Sequence, residues 1–126
     1  MNLKTIFKRL ILLDLSLIIL IIIGTFFESE VVLKFNEIAL IPDSFMLIAL
    51  IWMLAYFVNL FLLYKFKSIG KQMYLFIYII GFVIVLLAGP NASDPWMYVL
   101  DGIEMSVAGA LLVLLYFSPI KKEFEK

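Results

Sequence analysis

Apolar residues in this chain are gathered into four long runs, separated by shorter polar segments. The runs cover residues 10–27, 45–64, 73–89 and 96–117. A helix needs about 20 consecutive apolar residues, with a range of roughly 17–25, to cross the hydrocarbon core of a membrane. All four runs have that length, so the pattern predicts a single all-α membrane domain, residues 1–126, with four transmembrane helices.

The first run follows a basic start, MNLKTIFKRL, as in a secretory signal peptide. The apolar stretch is longer than a signal peptide requires, and IGTFFESE offers no small-x-small cleavage site. We therefore expect the first run to be a retained span.

Cationic residues fall almost entirely on one side of the four runs. Nine of the ten lysines and arginines precede the first run, join the second to the third, or follow the fourth, whereas Lys34 lies on the other side. The side rich in such residues is normally cytoplasmic, so we expect both termini inside. The short links at 65–71 and 89–95 favour an antiparallel up-and-down four-helix bundle.

The longer link, residues 28–44, is amphipathic. Its apolar residues are Val31, Val32, Phe35, Ile38 and Leu40, and its charged residues are Glu30, Lys34 and Glu37. This pattern favours a short helix that lies on the outer membrane surface.

Four polar side chains lie at nearly the same depth when positions are counted from the flanking lysines. They are Asp14, Asn59, Tyr78 and Tyr116. At about 1.5 Å per helical residue, each lies roughly 8–10 Å inside the lysine-rich face. We expect Asp14 to accept hydrogen bonds from Asn59 and from one tyrosine hydroxyl. This inner polar layer either only holds the helices together, as interhelical hydrogen bonds do in membranes, or serves a function.

Asp101 and Glu104 form an acidic face at the start of the fourth run. They are three residues apart and therefore share one side of a helix. A row of small residues lies beside them, comprising Gly102, Ser106 and Ala110. Because small residues permit close helix approach, the acids are expected to point into the bundle or into a pocket open to the outside. If the span begins later than residue 96, both acids lie in the outer interface instead.

Trp52 and Tyr56 lie on the face of the second run that also carries Asn59. Packing in the core is the usual role of such a stripe, and a ligand pocket is the alternative. The remaining aromatic residues near the ends of the runs are typical of interfacial belts. These are Trp96 and Tyr98 toward the outer end, and Tyr64, Tyr74 and Tyr116 toward the inner end.

The composition excludes several classes of function. The chain is 65% hydrophobic with a mean hydropathy of +1.13, whereas soluble domains have about 45–50% apolar residues. It has no net charge, no cysteine and no histidine. We therefore expect no nucleic-acid partner, no thiolate or imidazole metal site, and no cofactor.

With these spans assigned, the chain resembles a group of small bacterial inner-membrane proteins with four spans. The resemblance rests on LLDL with Asp14, on Gly89 and Pro90 after the third run, and on the closing YFSP, residues 116–119. It implies the four-helix fold and an inner-membrane location, and it carries no activity. Small multidrug exporters share the size and the carboxylate in the first span, but their dense glycine and tryptophan pattern is missing here.

These observations favour a non-catalytic accessory, structural or lipid-contacting protein whose partners are membrane lipid and another membrane protein or a second copy. A small oligomeric transporter or ion-conducting protein, using Asp14 or Glu104, is the alternative. Two carboxyl groups that share a proton are one way for an intramembrane hydrolase to act without histidine or cysteine. Because Asp101 and Glu104 lie side by side on one helix, we do not expect an enzyme.

Overall fold

In the computed structural model, which describes residues 2–39 and 42–126, the chain is almost entirely helical and these ranges contain no strand. Five α-helices follow one another: α1 (Leu3–Gly24), α2 (Glu30–Ile38), α3 (Asp43–Tyr64), α4 (Ser68–Ala88) and α5 (Pro95–Phe117). Two short 3-10 helices, Thr25–Phe27 and Pro119–Phe124, extend α1 and follow α5.

Four of these helices, α1, α3, α4 and α5, are long and apolar enough to cross a membrane. The prediction of an all-helical chain with four such helices is thereby confirmed. The helices also include polar residues that flank the apolar runs. For example, α1 begins at Leu3 and α4 at Ser68, because a helix continues through polar residues at its ends while hydropathy marks only its apolar part.

The helix ends follow from local sequence. The side chain of Asn2 accepts a hydrogen bond from the Lys4 amide at 3.1 Å and so caps α1. Pro95 occupies the first turn of α5, where its missing N–H costs nothing. Gly89, with φ 77°, ends α4 in a conformation that favours glycine.

The short helix that the amphipathic link predicts is α2. Val32 is its buried residue, and the other large apolar side chains of α2 are exposed. The predicted apolar residue Leu40 lies outside the described residues. Asn36 joins this segment to the link between α4 and α5, because its amide both donates to the carbonyl and accepts from the N–H of Ala92, at 3.0 and 2.9 Å.

The long helices pack mainly as two pairs, α1 with α5 and α3 with α4. Glycines lie at both of these interfaces. A Cβ added at Gly24 of α1 would lie 2.7 Å from the Met97 sulfur, and one at Gly70 of α4 would lie 2.9 Å from Cβ of Leu62. Smaller contacts of α1 with α3 and of α4 with α5 join the two pairs.

An aromatic cluster closes one end of the molecule. Phe7, near the start of α1, lies 5.8 Å from Phe66 and 5.9 Å from Phe124, measured between ring centroids. Phe66 follows α3 and Phe124 ends the 3-10 helix after α5, so three separate segments meet here. We call this the lysine-rich end, because Lys4, Lys8 and Lys65 lie in these segments.

Candidate functional site

Two polar side chains are completely buried among the long helices. Asp14 of α1 and Asn59 of α3 both have an exposed fraction of 0%. Unpartnered polar groups are costly in such surroundings, and intramembrane carboxylates usually face the protein interior. These two residues therefore mark the candidate site.

Asp14 accepts a hydrogen bond from a tyrosine on another helix. The Tyr56 hydroxyl of α3 donates to Oδ2 of Asp14 at 2.8 Å. The same hydroxyl lies 3.3 Å from the hydroxyl of Tyr74 on α4, which in turn donates to the Ala108 carbonyl of α5 at 3.1 Å. We refer to Asp14, Tyr56, Tyr74 and the Ala108 carbonyl as the polar network.

The polar network includes one group from each of the four spanning helices, in the order α1, α3, α4, α5. Tyr56 and Tyr74 are 4% and 0% exposed, so the hydroxyl groups are buried together with the carboxyl group. The two rings also pack against each other, with centroids 6.0 Å apart. Hydrogen bonds of these side chains thus tie α1 to α3 and α4 to α5, and the packing of the two rings ties α3 to α4.

Three buried atoms beside the network have no hydrogen-bond partner in the described part of the chain. They are Oδ1 of Asp14 and both polar side-chain atoms of Asn59. Asn59 follows Tyr56 by three residues and shares its helix face. The structure brings Asn59 to the buried face as expected, but it does not form the predicted hydrogen bond to Asp14.

The two tyrosines of the predicted inner layer, Tyr78 and Tyr116, make other contacts than the expected bond to Asp14. Tyr78 stacks on Tyr74 with a centroid distance of 6.3 Å and meets Phe82 edge to face at 5.1 Å. The Tyr116 hydroxyl donates to the Lys71 carbonyl at 2.9 Å, which ties α5 to the first turn of α4. Neither hydroxyl bonds to Asp14; Tyr56 makes that bond instead.

Tyr74 is the network residue that the sequence did not indicate. Its position toward the end of a run suggested an interfacial belt, but its side chain is fully buried in the interior. The spacing of Gly70, Tyr74 and Ile77, which are the buried residues of α4, is the signal that marks this face.

The Trp52 and Tyr56 stripe packs against α4. The indole Nε1 of Trp52 donates to the Ile77 carbonyl at 2.8 Å, and its ring lies 5.5 Å from that of Tyr56. A Cβ added at Gly81 would lie 2.7 Å from Cζ2 of Trp52, so the glycine makes room for the indole. The stripe is therefore a packed interface between α3 and α4.

Asp101 and Glu104 are half-buried on α5, one to two turns before Ala108. Neither forms a hydrogen bond or an ion pair within residues 2–39 and 42–126. Glu104 precedes Ala108 by about one turn of α5 and does not join the network.

The row of small residues beside these acids faces outward. Gly102, Ser106 and Ala110 are exposed. A Cβ added at Gly102 would have no atom within 4 Å, and Ser106 bonds to the Gly102 carbonyl of its own helix at 2.8 Å. The row therefore does not receive another helix of this chain.

The side chains of the polar network offer a carboxyl group and two phenolic hydroxyls for hydrogen bonding. No group of three or more acidic, histidine or cysteine side chains gathers among the described residues as a metal site would require. No family model matches the chain, and no curated protein and no solved structure matches it. The class that the fold defines is an all-helical chain with four helices of membrane-spanning length around a buried polar network.

Proposed function

We propose that this chain is a non-catalytic accessory or structural protein of the bacterial inner membrane, which contacts lipid and either another membrane protein or a second copy of itself. The observation that carries the proposal is the polar network. The carboxyl group of Asp14, the most deeply buried acid, is directed at a tyrosine of a neighbouring helix. An acid used in this way stabilises the helix arrangement and is not presented to a substrate.

The proposed arrangement is an antiparallel bundle with both termini in the cytoplasm. The ring contacts of Phe7 support it, because they join the start of α1 to segments that follow the ends of α3 and α5. The clustering of lysines and arginines at this end supports the cytoplasmic side by the positive-inside rule.

Because the natural sequence contains no cysteine, single introduced cysteines test this topology directly. Lys67→Cys and Lys122→Cys are expected to resist a membrane-impermeant maleimide added to cells, whereas Lys34→Cys reacts. All three react once the membrane is permeabilised. Labelling of Lys67→Cys in intact cells would overturn the proposed orientation.

The partner surface that we propose is the outward row of Gly102, Ser106 and Ala110. Rows of small residues let the backbones of two membrane helices approach closely. No helix within residues 2–39 and 42–126 occupies the row, and the neighbouring exposed side chains of α5 include the apolar Val99 and Ile103 at 62% and 45% exposed.

The decisive experiment is purification of tagged protein from native membranes in mild detergent, followed by mass spectrometry and a size measurement. We expect a stoichiometric partner or a homo-oligomer that Ala110→Leu and Gly102→Leu disrupt. Met105→Leu, at an exposed position on another face of the same helix, serves as the matched control, and Asp14→Asn and Glu104→Gln leave the complex intact. Recovery of monomer alone, with no partner, would remove the basis of the proposal.

A small oligomeric transporter is the second candidate. It is favoured by the unpartnered Oδ1 of Asp14 and the unpartnered amide of Asn59, together with the nearby acid Glu104. Purified protein in liposomes would then show proton- or cation-linked flux that Asp14→Asn or Glu104→Gln abolishes and that Glu37→Gln, in the surface helix, preserves. Liposomes that show no flux would eliminate this candidate.

A further inference from the structure

An open groove lies between α1 and α3 on the exposed surface of the four helices, close to the lysine-rich end. Its volume is about 280 Å³, and its walls include Leu12 and Leu15 of α1 and Phe57 and Phe61 of α3. The walls are almost entirely apolar, and Leu12 and Phe61 are 49% and 62% exposed. From Ile11 to Leu15 the groove follows α1 for about 6 Å, at about 1.5 Å per residue.

Two lysine ammonium groups lie at one end of this groove. The Lys8 Nζ lies 4.7 Å from the ring centroid of Tyr64, and the Lys65 Nζ lies 5.8 Å from that of Phe61. Tyr64, Phe61 and Lys65 itself all line the groove. Cation–π contacts of this kind hold an ammonium group over the ring face. Lys65 is part of the groove wall, and Lys8, which is outside the lining, is held beside the groove over the Tyr64 ring.

The charges of Lys8 and Lys65 are not neutralised by this chain. Neither lysine forms an ion pair with an acidic side chain in the part of the chain that the structure describes. Three other lysines at the same end do form such pairs: Lys4 and Lys126 with Glu123, and Lys71 with Glu125. The acids Glu123 and Glu125 are therefore paired with other lysines. The groove combines apolar walls with two cations that have no acidic partner among the described residues.

We propose that this groove is a binding site for an anionic phospholipid. One acyl chain lies along Leu12, Leu15 and Phe57, and the phosphate group lies between the ammonium groups of Lys8 and Lys65. Basic pockets between membrane helices on the cytoplasmic side suit anionic headgroups. A helix from a second copy would fill the apolar part of the groove but would bring no free anion to the two lysines.

This inference rests on the membrane location and orientation given under the proposed function, and it specifies the lipid class that the site selects. The test uses purified full-length protein in detergent with equal amounts of phosphatidylglycerol and phosphatidylcholine that carry the same acyl chains. Native mass spectrometry then measures which lipid each variant retains, and circular dichroism verifies that each variant is helical.

The wild-type protein is expected to retain phosphatidylglycerol in preference to phosphatidylcholine. Each of Lys8→Ala and Lys65→Ala reduces this preference about fivefold, which follows from the contribution of one lysine near an anionic lipid surface. The exposed Lys122 provides the matched charge control, because Lys122→Ala removes a cation at the same end but outside the groove and leaves the preference intact.

The apolar part of the site has its own matched pair of variants. Leu12 lines the groove and the adjacent Leu13 does not, although their exposures are similar at 49% and 46%. Leu12→Trp fills the groove and is expected to abolish retention of either lipid, whereas Leu13→Trp retains phosphatidylglycerol as the wild type does.

Three results would overturn the inference. One is a wild-type protein without preference for phosphatidylglycerol, and another is a Lys122→Ala variant that loses as much preference as Lys8→Ala. The third is a Leu12→Trp variant that changes the oligomeric state while lipid retention is unchanged, which would assign the groove to a second copy. Each of these leaves the accessory role standing, because that role is judged separately by recovery of a partner from native membranes.

Discussion

Asp14 and Glu104 both carry a carboxyl group in a helix of spanning length, but they differ in burial and in hydrogen bonding. Asp14 is fully buried and accepts a hydrogen bond from Tyr56 at 2.8 Å. Glu104 is half-buried and forms no hydrogen bond in the described part of the chain. The more buried acid is thus the one with a partner.

This difference shows how a membrane helix can tolerate an acid. The carboxyl group of Asp14 is matched by the Tyr56 hydroxyl on α3, a donor that brings no charge of its own. Glu104 is instead accommodated by its partial exposure on α5. We infer that Asp14 is a structural residue, whereas Glu104 contributes little to the stability of the bundle.

Removal of the central tyrosine hydroxyl is expected to have the largest effect on stability. Tyr56→Phe leaves Asp14 with both carboxyl oxygens unpartnered in a buried position. The loss of unfolding free energy should be about 1–3 kcal/mol, the usual cost of an unsatisfied buried polar group. Unfolding by titration with a denaturing detergent in mixed micelles measures this quantity.

The matched control for this variant is Tyr98→Phe, because Tyr98 is 60% exposed and lies on α5 away from the network. Its effect should stay within about 0.5 kcal/mol, as for most surface substitutions. Equal losses for the two tyrosines would contradict the distinction between Asp14 and other polar residues of the spans.

The pairing of Asp14 with Tyr56 can be measured separately by a double-mutant cycle. Replacing both partners with apolar residues, in Asp14→Leu with Tyr56→Phe, is expected to cost less than the sum of the two single changes. The coupling should be about 1 kcal/mol, within the range found for interhelical hydrogen bonds in membranes. The control cycle of Asp14→Leu with Tyr98→Phe should be additive within about 0.5 kcal/mol.

Neutral amide replacements of the two acids are expected to differ in their effect on stability. Asp14→Asn weakens a charge-assisted hydrogen bond and adds a buried donor, so we expect a loss of about 1 kcal/mol. Glu104→Gln changes a half-buried carboxyl group that has no hydrogen bond in the described part of the chain, so its effect should lie within about 0.5 kcal/mol of zero. If Glu104→Gln proved as costly as Asp14→Asn, the division into a structural and a tolerated acid would be wrong.

The sequence was sufficient to predict four helices of spanning length, because an apolar run of about 20 residues has few other structures available to it. It also singled out Asp14 and Asn59, since polar residues within such runs stand out. It did not identify Tyr74 as a partner, and it expected Asn59 to bond to Asp14. Counting residues from the lysines gives depth along a helix axis, but it does not give the rotation of each helix about that axis.

The unknown rotation of each helix also explains why the sequence did not show which way the row of Gly102, Ser106 and Ala110 faces. Small residues in a row predict that some helix approaches closely, but they do not tell whether that helix belongs to the same chain. In the structure Gly102 has open space beside it. The rotation of α5 is set instead by contacts that the sequence pattern does not display, such as the bond from Tyr74 to the Ala108 carbonyl.

Glu123 represents a third environment for an acid, at the lysine-rich end after α5. Hydrogen bonds from Lys126 and from Lys4 hold the pKa of its carboxyl group below its usual range. Because the pKa is lower in the folded state, the carboxylate contributes stability at neutral pH, and this contribution is lost as the pH falls through the folded-state value. Glu123→Gln should therefore lower stability slightly at neutral pH and flatten its decline in acid, when unfolding is followed at several pH values.

This effect should be the smallest of those considered, because the ion pairs of Glu123 are partly exposed and are screened by salt. Added salt should reduce the difference between Glu123→Gln and the wild type, whereas it should leave the loss caused by Tyr56→Phe unchanged. Glu37→Gln, a change in the surface helix α2, should keep the pH dependence of the wild type. If the loss of stability in Tyr56→Phe depended on salt, Asp14 would be held by exposed charges at the lysine-rich end and not by the buried Tyr56 hydroxyl.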